Sequence, residues 1–116
     1  MRVIERLVPA GAILEPDAEI TAETEAELRD VVRRQLAAGR VNLVIDLAHV
    51  PYIDSCGLGR IVQAYVSAHR QGGGLKLVNV SGKARHLLQV TRLLSVLEVG
   101  QPNDHRFDAY GTPHAR

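Results

Sequence analysis

Residues 43–59 read LVIDLAHVPYIDSCGLG and combine a buried strand, a short connection and the first turn of a helix. The run Val41–Leu47 (VNLVIDL) is short, mostly apolar and rich in β-branched residues, which is typical of a strand buried on both faces. Pro51 ends that pattern, and from about Gly57 onward apolar residues recur at helical spacing. A strand that leads through a loop into a helix predicts an α/β fold.

The residues before this stretch predict a β-hairpin followed by a helix. Arg2–Val8 and Ala12–Leu14 read as two short strands on either side of the turn signal Pro9-Ala10-Gly11. From Thr21 to Ala38, apolar residues recur every three or four positions, and Thr21 is the expected N-cap. The apolar stripe of this helix consists of Leu28, Val31, Val32 and Leu36.

The residues after it predict two more helices and two more strands. The first helix runs from about Gly57 to Arg70, and a strand follows over Leu75–Val80. The second helix runs from Lys83 to about Thr91 and is capped by Ser81, and a short strand lies within Leu94–Val99. The apolar stripe of the first of these helices consists of Leu58, Ile61, Val62, Tyr65 and Val66. Strands separated by helices of this length pair in parallel. The order ββαβαβαβ therefore predicts a four- to five-stranded mixed β-sheet with helices packed over it.

One domain accounts for this pattern, over residues 1–100. The remaining residues 101–116 form a polar tail that is read either as a short helix or as a frayed end. The residues expected in the core are Val44, Ile45, Leu58, Ile61, Val62, Leu77, Val78 and Leu88.

Composition and charge exclude several classes of function. The formal net charge is +1, from 14 basic and 13 acidic residues, so the chain lacks the clustered positive charge that nucleic-acid binding needs. The single cysteine can form neither an internal disulfide nor a cysteine-based metal site. No apolar run reaches the length of a membrane span, and the N-terminus lacks a signal-peptide core. We therefore expect a cytoplasmic protein that is not inserted in a membrane.

The residue with the most chemical interest is Ser55, which stands where the N-cap of the second helix belongs. A serine N-cap contributes about 1 kcal/mol of stability, and this role alone could explain the residue. The free N–H groups and the dipole at a helix N-terminus also favour negative charge, so a phosphoryl group would be tolerated there. The residues themselves leave both interpretations open.

The run D-L-x-x-V-x-Y-I-D-S-x-G-L-G, which spans Asp46–Gly59, resembles the signature loop of STAS domains, specifically of bacterial anti-sigma factor antagonists. Residues 18–28 (AEITAETEAEL) resemble the family's G-E-L-D-x-x-T-A-x-x-L entry to its first helix. Residues 73–80 (GGLKLVNV) and 90–97 (VTRLLSVL) resemble its later strand and the segment after its third helix. The resemblance covers residues 5–99 in register.

The resemblance implies a protein-binding switch and no enzyme activity or cofactor. In that family the serine that corresponds to Ser55 is phosphorylated by the anti-sigma factor, itself a serine kinase, and a metal-dependent serine phosphatase restores it. The unphosphorylated antagonist binds the anti-sigma factor and releases the sigma factor. The residues implied in partner binding are Thr21, Asp54, Ser55, Cys56, Gly57 and Leu58. Gly57 and Gly59 are expected to allow close approach at the start of the helix.

Three positions depart from the antagonist pattern. Ala18 replaces a glycine and Thr21 an aspartate, which favours the alternative of a non-phosphorylated STAS scaffold or regulatory subunit, of the transporter-associated or stress-complex type. Cys56 replaces a serine or threonine. It is read as a small residue buried under the loop, with a redox-sensitive thiol as the alternative.

Other chemistries find little support in the sequence. A serine hydrolase of the G-x-S-x-G type does not match, because position 53 is Ile, and neither His49 nor His69 is a persuasive base. The five histidines show no metal-ligand spacing. The glycines at 72–74 lack the Lys-Ser/Thr of a phosphate loop and are read as a turn.

Overall fold

A five-stranded β-sheet forms the centre of the computed structural model, which describes residues 1–9, 11–80, 82–90 and 98–99. In chain order the elements are β1 (Val3–Val8), β2 (Gly11–Pro16), α1 (Glu25–Ala37), β3 (Asn42–Asp46), α2 (Ser55–Arg70), β4 (Gly74–Val78), α3 (Gly82–Val90) and β5 (Glu98–Val99). The predicted fold class, a mixed sheet in the order ββαβαβαβ, is confirmed. The predictions for the Ser81 cap, Thr91, Leu94–Leu97 and the tail 101–116 lie outside the described residues.

The strands lie in the sheet in the order in which they follow along the chain. β1 and β2 form the predicted antiparallel hairpin, and β2, β3, β4 and β5 pair in parallel. Two hydrogen bonds connect the chain just past the ends of β3 and β4. The Leu47 N–H donates to the Val78 carbonyl at 2.9 Å, and the Asn79 side-chain amide donates to the Asp46 carboxylate at 2.8 Å. The segments that follow these two strands therefore emerge side by side.

The main core lies between the sheet and the helices α1 and α2, with Ala84 and Leu88 of α3 completing it. Every residue of β3 and β4 is buried, as the apolar runs predicted. A smaller cluster of Ile13, Val44 and Val78 occupies the opposite face of the sheet. The side chains that the sequence assigned to the α1 stripe are all buried.

Seven of the eight predicted core residues are buried, and Val62 is the exception. The buried line of α2 runs through Leu58, Ile61, Ala64 and Ala68. That line leaves Val62, Tyr65 and Val66 half-buried on its flank. Ala64 and Ala68 take the inward positions of the later turns, because small residues let a helix lie close to a sheet.

α1 begins at Glu25 and not at Thr21, which corrects the predicted start. Residues 21–24 form a separate turn that Thr21 and Thr24 hold through local bonds. The Thr21 N–H donates to Thr24 Oγ1 at 3.0 Å, and the Thr24 hydroxyl donates to the Glu19 carbonyl at 2.6 Å. Side chains of this type compete with the helix for backbone groups, which is why the regular helix starts one turn later.

Both predicted C-termini are confirmed by the same hydrogen-bond pattern. Gly39 and Gly72 follow α1 and α2 with φ of 84° and 86°, a conformation that suits glycine. After α2, the Gly73 N–H donates to the Ala68 carbonyl at 2.9 Å and the Gly72 N–H to that of His69 at 3.0 Å. These two bonds define a Schellman motif, which satisfies the last carbonyls of the helix.

Candidate functional site

The loop between β3 and α2 is fixed to the segment that precedes α1. Ile53 and Ile20 form a parallel bridge, and both side chains are buried. The Ile20 N–H donates to the Tyr52 carbonyl at 3.0 Å, and the Asp54 N–H donates to the Ile20 carbonyl at 3.2 Å. The two segments thus act as a short extra pair of strands, so the start of α2 has a defined position at the end of the sheet.

The N-cap of α2 is Asp54, and Ser55 is the first helical residue, which corrects the sequence prediction. Asp54 has extended backbone angles, and its Oδ1 accepts from the Gly57 N–H at 2.8 Å. Its Oδ2 accepts from the Ala22 N–H at 3.3 Å. Aspartate caps a helix as well as serine does. Its second carboxylate oxygen also binds a neighbouring segment, whereas a single serine hydroxyl at this position could not do both.

The contribution of the N-cap to the stability of the fold therefore comes from the Asp54 side chain. We expect Asp54→Ala to lower the free energy of unfolding by about 1–2 kcal/mol, because both the cap and the link to Ala22 are lost. Asp54→Asn retains a capping oxygen and should lose less. Ser55→Ala should stay within about 0.5 kcal/mol of the parent, as for an exposed residue without a structural bond. Urea denaturation of the three variants gives the order, and a larger loss for Ser55→Ala than for Asp54→Ala would contradict it.

Some of the residues that the family resemblance implied in partner binding are exposed, and the others are buried. Ser55 and Cys56 are exposed and Asp54 is partly exposed; these three residues are called the docking edge below. Gly57, Leu58 and Thr21 are buried, so they shape the docking edge from beneath. Thr21 was expected to face a partner, but its hydroxyl is engaged with Glu23, at 3.2 Å to the carboxylate.

Cys56 is exposed, which corrects the expectation that it lies buried under the loop. The inward positions of the first turn are taken by Gly57 and Leu58, so the preceding residue points outward. The thiol therefore lies on the surface next to Ser55.

Gly57 lies against the backbone of Ile20, and a side chain cannot be accommodated there. A Cβ on Gly57 would overlap the Ile20 carbonyl oxygen and lie 2.7 Å from its carbonyl carbon. Gly59 differs, because a Cβ there would meet no atom of the described ranges within 4 Å. At Gly57 the close approach is made by Ile20 of the same chain, whereas Gly59 is exposed, and the approach of a partner to it stays a prediction.

A groove of about 510 Å3 runs beside the docking edge. Residues 52–55 line one side, and Gly82, His86 and Leu87 of α3 line the other. The groove was missed in the sequence because the two sides are about thirty residues apart. The signal that could have found it is the topology, since α3 follows β4 and the loop follows the neighbouring parallel strand β3.

The two charged side chains at the start of α2, Asp54 and Arg60, are each bound to other groups of the chain. Arg60, five residues into α2, pairs with Glu25 of α1 at 2.7 Å, and Asp54 accepts the two backbone N–H groups described above. Within the residues that the structure describes, the N–H groups of Ser55 and Cys56 have no acceptor. These two N–H groups and the positive end of the helix dipole would favour an anion attached to Ser55.

Two further classes of site have no counterpart in the described ranges. No group of three or more His, Cys, Asp or Glu side chains there could hold a metal ion. None of the helices in those ranges is both long and apolar enough to cross a membrane.

The fold and the loop define the class of protein. A sequence model of the STAS domain matches residues 2–105, and the chain belongs to this family. It is 32% identical to the anti-sigma-B factor antagonist of Bacillus subtilis, over 73% of this chain and 81% of that protein.

Solved structures agree with this assignment. A proposed anti-sigma factor antagonist of Thermotoga maritima superimposes with a TM-score of 0.81 at 26% identity, over 88% of this chain and 87% of that one. The anti-sigma factor antagonist SpoIIAA in its unphosphorylated form shares the fold at 15% identity, with a TM-score of 0.68, over 85% of this chain and 87% of its own. The phosphorylated form of the Bacillus SpoIIAA also shares it, with a TM-score of 0.71 at 14% identity, over 89% and 93% of the two chains.

Proposed function

We propose that this chain is a cytoplasmic anti-sigma factor antagonist whose binding to an anti-sigma factor is controlled by phosphorylation of Ser55. The observation that carries the proposal is the position of Ser55, exposed at the first turn of α2 on a loop fixed by Ile20 and Asp54. The relatives described above bear the same functional name, and one fold relative has been solved in a phosphorylated form. The role is regulatory, and no catalytic step is assigned to this chain.

In the proposed cycle the unphosphorylated protein binds the anti-sigma factor through the docking edge and so frees the sigma factor. The anti-sigma factor, acting as a serine kinase, transfers the γ-phosphoryl group of ATP to Ser55 Oγ. A serine phosphatase of the metal-dependent type hydrolyses the phosphoester and restores binding. Thr21, Gly57 and Leu58 support the edge from beneath, since they are buried.

The fold can carry the modification at little cost. The Ser55 side chain is exposed and makes no hydrogen bond to another described residue, so phosphorylation breaks no such bond. The added charge faces the N-terminus of α2, where a negative group is favoured by about 0.3–1 kcal/mol, although the Asp54 carboxylate opposes part of this. A surface that gains roughly two negative charges while its shape is kept can exclude a partner without unfolding.

A scaffold function without phosphorylation is the second candidate. The observation that favours it is Thr21, which stands where the antagonist pattern has an aspartate and whose hydroxyl donates to the Glu23 carboxylate. Thr21 therefore contributes no charge at a position where a typical antagonist has an aspartate.

The partner can be identified by capture from the native cytosol with the tagged parent, Ser55→Ala and Ser55→Asp in parallel. Recovery of a serine-kinase-type anti-sigma factor with the parent and Ser55→Ala, but not with Ser55→Asp, is the expected result. Recovery of a transporter ATPase or a stress-complex scaffold with all three would support the second candidate instead.

Phosphorylation itself gives a separate prediction. Incubation of the captured kinase with radiolabelled ATP should place one phosphate on each parent chain and none on Ser55→Ala. Cys56→Ala is the matched control, because it changes the neighbouring exposed residue without adding a hydroxyl and should accept phosphate as the parent does. Intact-mass spectrometry reads the stoichiometry, and a phosphate found on Ser55→Ala would exclude Ser55 as the acceptor.

A further inference from the structure

The groove beside Ser55 is a surface that the phosphorylation switch does not by itself explain. Its floor is apolar, built from the buried Ile53 and the partly buried Leu87, and the ring of Tyr52, which is 46% exposed, adds apolar surface to its lining. Its polar groups lie at the rim, namely Asp54 and Ser55 on one side and His86 on the other. The Asp54 carboxylate already accepts two backbone N–H groups, so it is poorly suited to hold a basic ligand.

From this arrangement we infer that the groove receives one large apolar side chain, aromatic or aliphatic, of the anti-sigma factor. The inference rests on the proposed function. Ser55 is itself part of the groove wall, so a partner that covers the Ser55 hydroxyl also covers the groove. An apolar floor with polar groups at the rim is the usual setting for the anchor residue of a protein interface, and a groove of about 510 Å3 has room for such a side chain.

The size of the groove also indicates how phosphorylation acts on it. A phosphoryl group has roughly the volume of two water molecules, about 60 Å3, and would fill only a small part of the groove. The effect must then come from charge, because the apolar side chain would have to displace the water around a dianion at the rim. The switch therefore lowers the affinity of the anchor site without filling it.

Gly82 offers a direct way to fill the groove. Among the described residues, a Cβ on Gly82 would meet no atom within 4 Å, and the φ of Gly82 is not positive, so we expect Gly82→Leu to fold normally and to occupy the groove. Ala37→Leu is the matched control, since Ala37 is exposed at the end of α1, which lies at the opposite edge of the sheet. His86→Asp is a second test, because it adds a charge at the other rim, with His86→Asn as its neutral control.

The experiment is calorimetric titration of the purified anti-sigma kinase with each full-length variant, after urea denaturation has shown that the variants are folded. Gly82→Leu and His86→Asp should each weaken binding at least tenfold, whereas Ala37→Leu and His86→Asn should remain within about threefold of the parent. Binding of Gly82→Leu and His86→Asp at parental affinity, with Ser55→Asp still impaired, would overturn the anchor site and leave the switch intact. Failure of the parent to bind any such kinase would overturn the proposed function and the anchor site together.

Discussion

Ser55→Asp is expected to weaken binding of the anti-sigma kinase by about 30-fold or more, whereas Ser55→Asn should bind within about threefold of the parent. The two variants have side chains of nearly the same size, so they differ mainly in charge. Burying an unpaired charge at an interface costs about 2 kcal/mol or more, which corresponds to the stated loss of affinity. The Asn variant lacks that cost because its amide can pair with polar groups of the partner.

Titration calorimetry at a fixed, low ionic strength measures both dissociation constants, with Ser55→Ala as the reference for a lost hydroxyl. Equal losses of affinity for Ser55→Asp and Ser55→Asn would mean that binding requires the serine hydroxyl or its small size. The charge mechanism would then be wrong. Parental affinity for Ser55→Asp would remove Ser55 from the interface altogether.

Gly57→Ala should destabilise the fold, and Gly59→Ala should stabilise it. A methyl group at position 57 would overlap the Ile20 backbone, and overpacking of this kind costs about 1–3 kcal/mol or more. At position 59 the methyl group meets open space within the same helix, where replacing glycine by alanine gains up to about 1 kcal/mol. The same substitution two residues apart is thus expected to have opposite signs.

Urea denaturation of both variants, compared by midpoint at a common slope, tests this pair. If Gly57→Ala were as stable as the parent, the contact between α2 and Ile20 would not exist as described, and the docking edge would lose its support. A destabilised Gly59→Ala would instead show that this position is packed.

The sequence predicted the fold well because the strongest local signals agree with the tertiary structure. The β-branched runs around Val44 and Val78 became the fully buried strands, and the glycines at 39 and 72 ended the helices. The start of α1 could not be predicted correctly, because Thr21 and Thr24 hold a local turn. In the sequence, the same two residues have the pattern of a helix N-cap.

The candidate site could be predicted only in part. The motif drew attention to Ser55, but Asp54 became the cap because the Ala22 N–H comes within reach of its second oxygen, a contact 32 residues away in sequence. His86 and Leu87 face Ser55 for the same kind of reason, since they follow a neighbouring strand. Contacts of this kind depend on strand order, which periodicity does not report.

The backbone bonds that tie Tyr52, Ile53 and Asp54 to Ile20 have a kinetic consequence. A recognition surface that is already ordered requires no folding step on contact, so association should proceed at the roughly 10⁵–10⁷ per molar per second typical of rigid docking. In the proposed cycle, signal speed would then be governed by the opposing kinase and phosphatase. The cell could tune its response by changing the amounts of those two enzymes, with this protein serving as a passive reporter of their balance.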